Sequence, residues 1–265
     1  MKKLASELYD LLQIIAPSGK EERVVRYIKP KMEKWLDHVW IDHYGNLLGE
    51  RQCGTGNGPT ILLSAHMDSV DGVEPYREVR REEDVFYSSA GILGADDRAG
   101  MAIVMAVIRQ IGATKFNGKL KVAFTREEEI GRRGSQALDP AWLHDVELAI
   151  VVDRRGNRDI VTSFADVQPF CHPAVGQFFE EAGRICGMPD WKSVRGGISD
   201  ACTFASYGIN SVNLSAGYRY EHTWDEFVSI TSCKETVQLI VTALDMVGKR
   251  GMKLQNFCSL TGSVI

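Results

Sequence analysis

Six cysteines stand at positions 53, 171, 186, 202, 233 and 258, and no two of them form a C-x-x-C pair. Neither a zinc ribbon nor a dithiol redox motif can be written from them, so they read as reduced, structural thiols. Cys171-His172 is no exception, because adjacency in sequence does not make a nucleophile–base pair. A basic excess is also missing: 31 Lys and Arg against 35 Asp and Glu leave a net charge of -4, which argues against a nucleic-acid binder. No apolar run approaches the length of a membrane-spanning helix. Repeats, low-complexity tracts and Pro/Gly/Ser linkers are absent as well, so nothing splits the chain. The opening MKKLASELYDLLQIIAPSG imitates a secretory leader, but Glu7 and Asp10 interrupt it. Leu4, Leu8, Leu11, Leu12 and Ile15 have the spacing of an amphipathic helix, so the segment reads as structure and the cytoplasm as the expected location.

What is present is ordinary core material, 44% hydrophobic residues over 265 positions. A second helix is expected after a Ser18 cap, nicked by Pro30, followed by the short strand-like pieces DHVWID and NLLGER. PTILLSAHMDS reads as a strand, and REVRREED (77–84) as a solvated loop or edge strand. LGADDRAGMAIVMAVIRQI turns from glycine into a nearly all-apolar helix, hence one buried between layers. KLKVAFT and VELAIVVD read as strands, the second apolar enough for a central parallel position. A helix at PAVGQFFEEAGRICG, a strand at INSVNLSAG and a last helix from about Ser232 to Lys249 complete the series. This alternation predicts an α/β fold, a three-layer αβα sandwich around a mostly parallel twisted sheet. Residues 1–250 are expected to form one domain, with 251–265 a patternless C-terminal tail.

Such sheets place their chemistry beyond the carboxyl ends of their strands, and there the polar residues collect. TILLSA ends in His66-Met67-Asp68, KVAFT in Glu127-Glu128-Glu129, and LAIVV in Asp153. Asp96-Asp97 precede the buried helix, and His222 follows SVNLSAG within a few residues. One such residue is more often a cap or a surface group. Together, two histidines and several carboxylates would repel one another unless divalent cations converted the repulsion into coordination. Imidazole and carboxylate without thiolate suit a catalytic zinc, cobalt or manganese site. On an extended chain Asp68 faces the same side as His66 and can accept the second ring N–H of His66 or of a neighbouring group, fixing the tautomer, with a cap on the next turn the alternative. Charge alone does not say which two glutamates of the triplet take part.

These segments resemble, in order, the motifs of the co-catalytic metallopeptidases of the M20/M28/M42 clan. The matching pieces are SAHMDSV, LGADDRAG, FTREEEIGRRG, VVD and GYRYEHTWDE. APSGKEE, IDHYGN and RGGISDA resemble signatures of its tripeptidase and M42 aminopeptidase branches, and the likeness spans roughly residues 4 to 245. The resemblance implies two divalent ions, zinc foremost, with Asp96 bridging them. His66 and Asp153 would complete one shell, and Glu129 and His222 the other. The register of E-E-x-G-x-x-G would make Glu128 the general base and leave Glu127 outside. Asp68 would support His66, and the Asp96-Asp97 peptide would be cis. Arg98 stands where the family has lysine, a cation of different geometry.

The segment 69–95 is too short for the domain that M42 enzymes insert there and has room for a small hairpin at most. Asp153 and His222 are likewise too close for a lid. Substrate selection is therefore expected from short loops or from a partner subunit of a homo-oligomer. Arg195 is a candidate for a peptide's terminal carboxylate, with a plain salt bridge the alternative. Asp200, Tyr218, Tyr220, Trp224 and Glu226 are candidates for the pocket wall, and Glu226 or Asp225 for a free α-amino group. The expected activity is an aminopeptidase acting on short peptides. The alternatives are an M20-like carboxypeptidase, dipeptidase or N-acyl amino-acid deacylase, and an inactive metal-binding scaffold.

Overall fold

Apolar residues run without interruption through the middle strands, and the structure buries both of their faces. The computed structural model describes residues 2–250; the expected tail, with Cys258, lies outside them. The chain opens with helices α1 (Lys2–Leu12) and α2 (Glu22–Met32), followed by β1 (His38–Ile41), β2 (Leu47–Cys53) and β3 (Thr60–His66). A hairpin, β4 (Val79–Glu82) and β5 (Val85–Ser88), leads into α3 (Ala95–Gln110) and β6 (Gly118–Thr125). Two single turns, α4 (Arg133–Gln136) and α5 (Pro140–Leu143), precede β7 (Val146–Arg154), β8 (Asp159–Phe164) and β9 (Gln168–Pro169). Next come α6 (Pro173–Ile185), β10 (Lys192–Gly196), α7 (Asp200–Ser206) and β11 (Asn210–Ser215). The short strands β12 (Tyr218–Arg219) and β13 (Phe227–Ser229) and the long α8 (Ile230–Arg250) close the series.

The main sheet has the order β1-β2-β6-β3-β7-β11-β8-β10, with β9 on β8. Its middle, β6-β3-β7-β11, is parallel. Antiparallel pairings flank that middle at β1-β2, β2-β6 and β11-β8, so the sheet as a whole is mixed. Successive residues of β3 and β7 point to opposite faces. Ile61, Leu63, Ile150 and Val152 join the large core under α1, α2, α3, α6 and α8. Leu62, Ala149 and Val151 join a smaller one with α7 and the 138–143 turn. The result is the three-layer sandwich that the alternation predicts.

Two local readings, the Ser18 cap and the start of the last helix, need correction. Ser18 does not cap α2; Glu21 occupies that position with no side-chain cap bond, and the Ser18 hydroxyl donates to Asp68 instead, at 2.6 Å. The last helix starts at Ile230, two residues earlier than its pattern indicates. The charge run forms edge strand β4, and the expected hairpin is widened by β13 and β12 into a small four-stranded sheet. Between Asp153 and His222 the chain makes β8 to β12, α6 and α7, and no inserted lid occurs among these described residues.

The parallel pairing of β6, β3 and β7 is what positions the site, because it brings three carboxyl ends to one edge. Gly100 lets α3 approach that edge: a Cβ there would lie 1.9 Å from the backbone carbonyl of Val152. Backbone cannot swing aside, so Gly100→Ala is expected to destabilise the fold by about 2–3 kcal/mol. Chemical denaturation checks this; an unchanged midpoint would contradict it.

Candidate metal centre

His66 is the last residue of β3, and its Nε2 lies 3.1 Å from Asp96 Oδ1 and 3.6 Å from Asp153 Oδ1. His222 reaches the other side of the same aspartate, with Nε2 3.3 Å from Asp96 Oδ2 and 2.9 Å from Glu129 Oε1. The five residues thus form two trios that share Asp96: His66, Asp96 and Asp153, and Asp96, Glu129 and His222. Within each, the ligand atoms lie within 4.8 Å of one another. The Asp96-Asp97 peptide is cis, as the resemblance implies.

The supporting contacts explain how these groups are held. Asp68 is fully buried and does more than face His66, whose Nδ1 lies 3.3 Å from its Oδ1. It also accepts the backbone N–H of Glu128 (3.0 Å) and of Glu129 (3.2 Å), fixing the glutamate loop to β3. Glu127 points elsewhere: its carboxylate accepts from the Tyr44 hydroxyl at 2.7 Å. Asp153 receives the Tyr218 hydroxyl at 3.0 Å, and its backbone N–H donates to Asn213. Arg98 is buried and donates to the carbonyls of Met67 and Ile14, tying α3 to the β3 end.

Three expected substrate contacts are not supported. Glu226 is 1% exposed, and both of its oxygens accept backbone N–H groups, from Gly94, Ala95 and Asp96 at 2.7–3.1 Å. It closes the start of α3 and has no free face for a substrate amine. Asp200 is buried, with Oδ2 accepting the Thr125 hydroxyl at 2.6 Å. Arg195 is an exposed surface residue paired with Asp166 at 2.8 Å, the plain alternative. Tyr220, Trp224 and Asp225 are exposed, whereas Tyr218 lines the cleft over the cage. Arg154, Arg155 and Glu221 line that cleft too, and the sequence reading does not single them out. The arginine doublet directly after Asp153 was the available signal.

Electrostatics tests whether the donor set fits cations. Burial pushes Asp153 up to about 7, and the Asp96 charge adds to it. Burial likewise raises Glu128 to about 10, with Asp153, Asp200 and Glu129 contributing and the charge of His66 opposing. Hydrogen bonds to Asp96 and Glu129 raise His222 to about 10. Without cations the cage can lower its repulsion only by retaining protons, and divalent ions would replace those protons. An imidazole–carboxylate set with no thiolate is also the donor chemistry of catalytic sites rather than of closed structural ones.

A three-layer α/β sandwich with this two-lobed cage of imidazole and carboxylate groups offers ligand atoms for two cations. The comparisons give the family. Residues 72–239 match the model of the M42 glutamyl aminopeptidases, and the chain belongs to the M42 peptidase family. It is similar to a putative LysW-lysine/LysW-ornithine hydrolase of Pyrococcus abyssi, 27% identical over 93% of this chain and 75% of that one. Its fold matches aminopeptidase PepT of Bacillus cereus with a TM-score of 0.84 at 18% identity, over 93% of this chain and 98% of that one. It also matches the TET1 peptidase of Pyrococcus horikoshii, which assembles into a tetrahedron or an octahedral shell, with a TM-score of 0.71 at 17% identity over 90% and 98%. The protein is thus a peptidase of a metal-dependent family. No helix among the described residues is long and apolar enough to cross a membrane.

Removing Glu226 leaves three backbone donors without their acceptor next to Asp96. Glu226→Ala is expected to cost about 2–4 kcal/mol of stability, with Glu226→Gln losing less. Equal thermal melting of Glu226→Ala and the unaltered protein would show that the carboxylate does not hold the start of α3.

Proposed function

We propose that the chain is a dinuclear metallo-aminopeptidase for short peptides. The observation that carries this reading is the sharing of Asp96 between two trios of imidazole and carboxylate groups. His66 and Asp153 would hold one ion, Glu129 and His222 the other, and Asp96 both. Zinc suits the donors best, with cobalt or manganese the alternatives. When bound, such ions lower the pKa of a water and polarise a scissile carbonyl.

The chain's own contribution is to orient groups and move the proton. Glu128 lines the cleft beside the cage and belongs to neither trio, so its carboxylate is free to act as general base. It would take the proton of the attacking water and return it to the leaving amine. Asp68 sets its position through the Glu128 backbone N–H, and the same carboxylate steadies His66, so base and ligand are oriented together. Tyr218 would hold the Asp153 carboxylate in place. Residues 1–250 would act as one catalytic unit, and a homo-oligomer, for which the assembling TET1 peptidase offers a precedent, would add a partner's surface to the cleft.

Roles within the glutamate pair separate by measurement. Glu128→Gln is expected to lower kcat by at least 10²-fold while metal content by elemental analysis stays near that of the unaltered protein; Glu129→Ala is expected to lose one ion. Equal metal loss in both would contradict the roles. A free peptide should be cleaved and its N-acetylated form spared. Cleavage of the blocked form alone would favour the deacylase or carboxypeptidase reading instead.

A further inference from the structure

The acidic floor of the cleft has a basic wall. Arg154 and Arg155 directly follow Asp153 at the end of β7, and both line the cleft with Glu128 and His222. Their engagements differ. Arg154 turns Nε and Nη2 onto Asp159, each at 3.3 Å, and is largely covered. Arg155 makes an ion pair through Nη2 to Glu221 Oε1 at 2.6 Å, and its side chain is 62% exposed. Glu221 is only 11% exposed, and its Oε2 is buried without a hydrogen-bond partner. The carboxylate is therefore the fixed member of the pair and the guanidinium the accessible one.

A guanidinium presents five N–H groups in a rigid fork and can hold one carboxylate while offering another edge to a second. We propose that Arg155, oriented by Glu221, reads a carboxylate of the substrate near the scissile bond. The proposal rests on the peptidase reading above and adds what the site recognises beyond that bond. Arg155 lies two residues past Asp153 and one beyond the end of β7, so the two α-carbons are at most roughly 7 Å apart, a distance that about two extended peptide residues span. A terminal carboxylate of a di- or tripeptide, or an acidic side chain, falls within that reach. This gives Arg155 the role that the surface pair of Arg195 with Asp166 leaves unfilled.

The metal-loaded protein and its Arg155→Gln and Arg155→Lys variants test the idea on two matched pairs of substrates. The first is trialanine against trialaninamide. The second is Ala-Glu-Ala amide against Ala-Gln-Ala amide. In one pair the acid should be preferred by roughly 10- to 100-fold in kcat/KM, expressed mainly in KM. Arg155→Gln should bring that ratio close to one, and Arg155→Lys should keep part of it. The pair that responds identifies whether the carboxylate is terminal or on a side chain. Ratios near one for both pairs in the unaltered protein, or a preference that survives Arg155→Gln, overturn the proposal. Calorimetric binding of trialanine and its amide, with the side-chain pair beside them, to metal-loaded Glu128→Gln protein gives the same decision without turnover. Failure to cleave any peptide would count against the peptidase reading, whereas equal affinities within both pairs would count against Arg155.

Discussion

Carboxylates crowd one edge of a sheet from which water is largely excluded. Asp96, Asp153 and Glu129 present oxygens that fall, trio by trio, within 4.8 Å of their neighbours, and Asp97 lies fully buried beside them. At an effective dielectric of about 20, two such charges repel by roughly 3–4 kcal/mol. A fold does not sustain several such pairs without compensation. Here the compensation has two layers: imidazoles interleaved between the acids, and backbone N–H groups turned onto those carboxylates that lie outside the cage. Asp68 takes two such donors and Glu226 takes three. In the cage proper the carboxylate oxygens face the two imidazoles and the Tyr218 hydroxyl instead.

The arrangement depends on chain direction. Because β6, β3 and β7 run parallel, His66, the glutamate loop and Asp153 emerge on the same side. α3 then delivers Asp96 from beneath the sheet, and the small sheet of β12, β13, β5 and β4 holds the loop bearing His222. His222 sits at φ 64°, a left-handed conformation uncommon for a residue with a side chain, so the loop is shaped to this position rather than relaxed into it. The segment that begins with the hairpin 79–88 is thus more than a filled gap: by pairing with β13 it becomes the support of the last histidine.

Much of this is legible in the sequence because the main signals are local. β3, β6 and β7 are apolar runs that end abruptly in charge, and the buried α3 is apolar nearly throughout. Separating Glu128 and Glu129 from Glu127 needs motif register, since charge is blind to it; the Tyr44 contact supplies the physical difference only once the fold is known. What stays hidden is set by distant approach. Ser18 reads as a cap until β3 brings Asp68 to it, and Glu226 reads as a pocket residue for a substrate amine until the start of α3, 130 residues away, is seen to occupy its carboxylate. The strands β8, β10, β12 and β13 are short or mixed in polarity and carry little periodic signal of their own. Arg155 is marked in the sequence only by its place in the doublet after Asp153, and the largely buried Glu221 that orients it appears only in the fold.

The claim beneath all of this is that one aspartate is shared by two cations. Crystals grown with zinc and measured on either side of the zinc absorption edge test it most directly. The account predicts two anomalous peaks in the cage, one between His66 and Asp153 and one between Glu129 and His222, with Asp96 between them. A single peak, or none at Asp96, would contradict it.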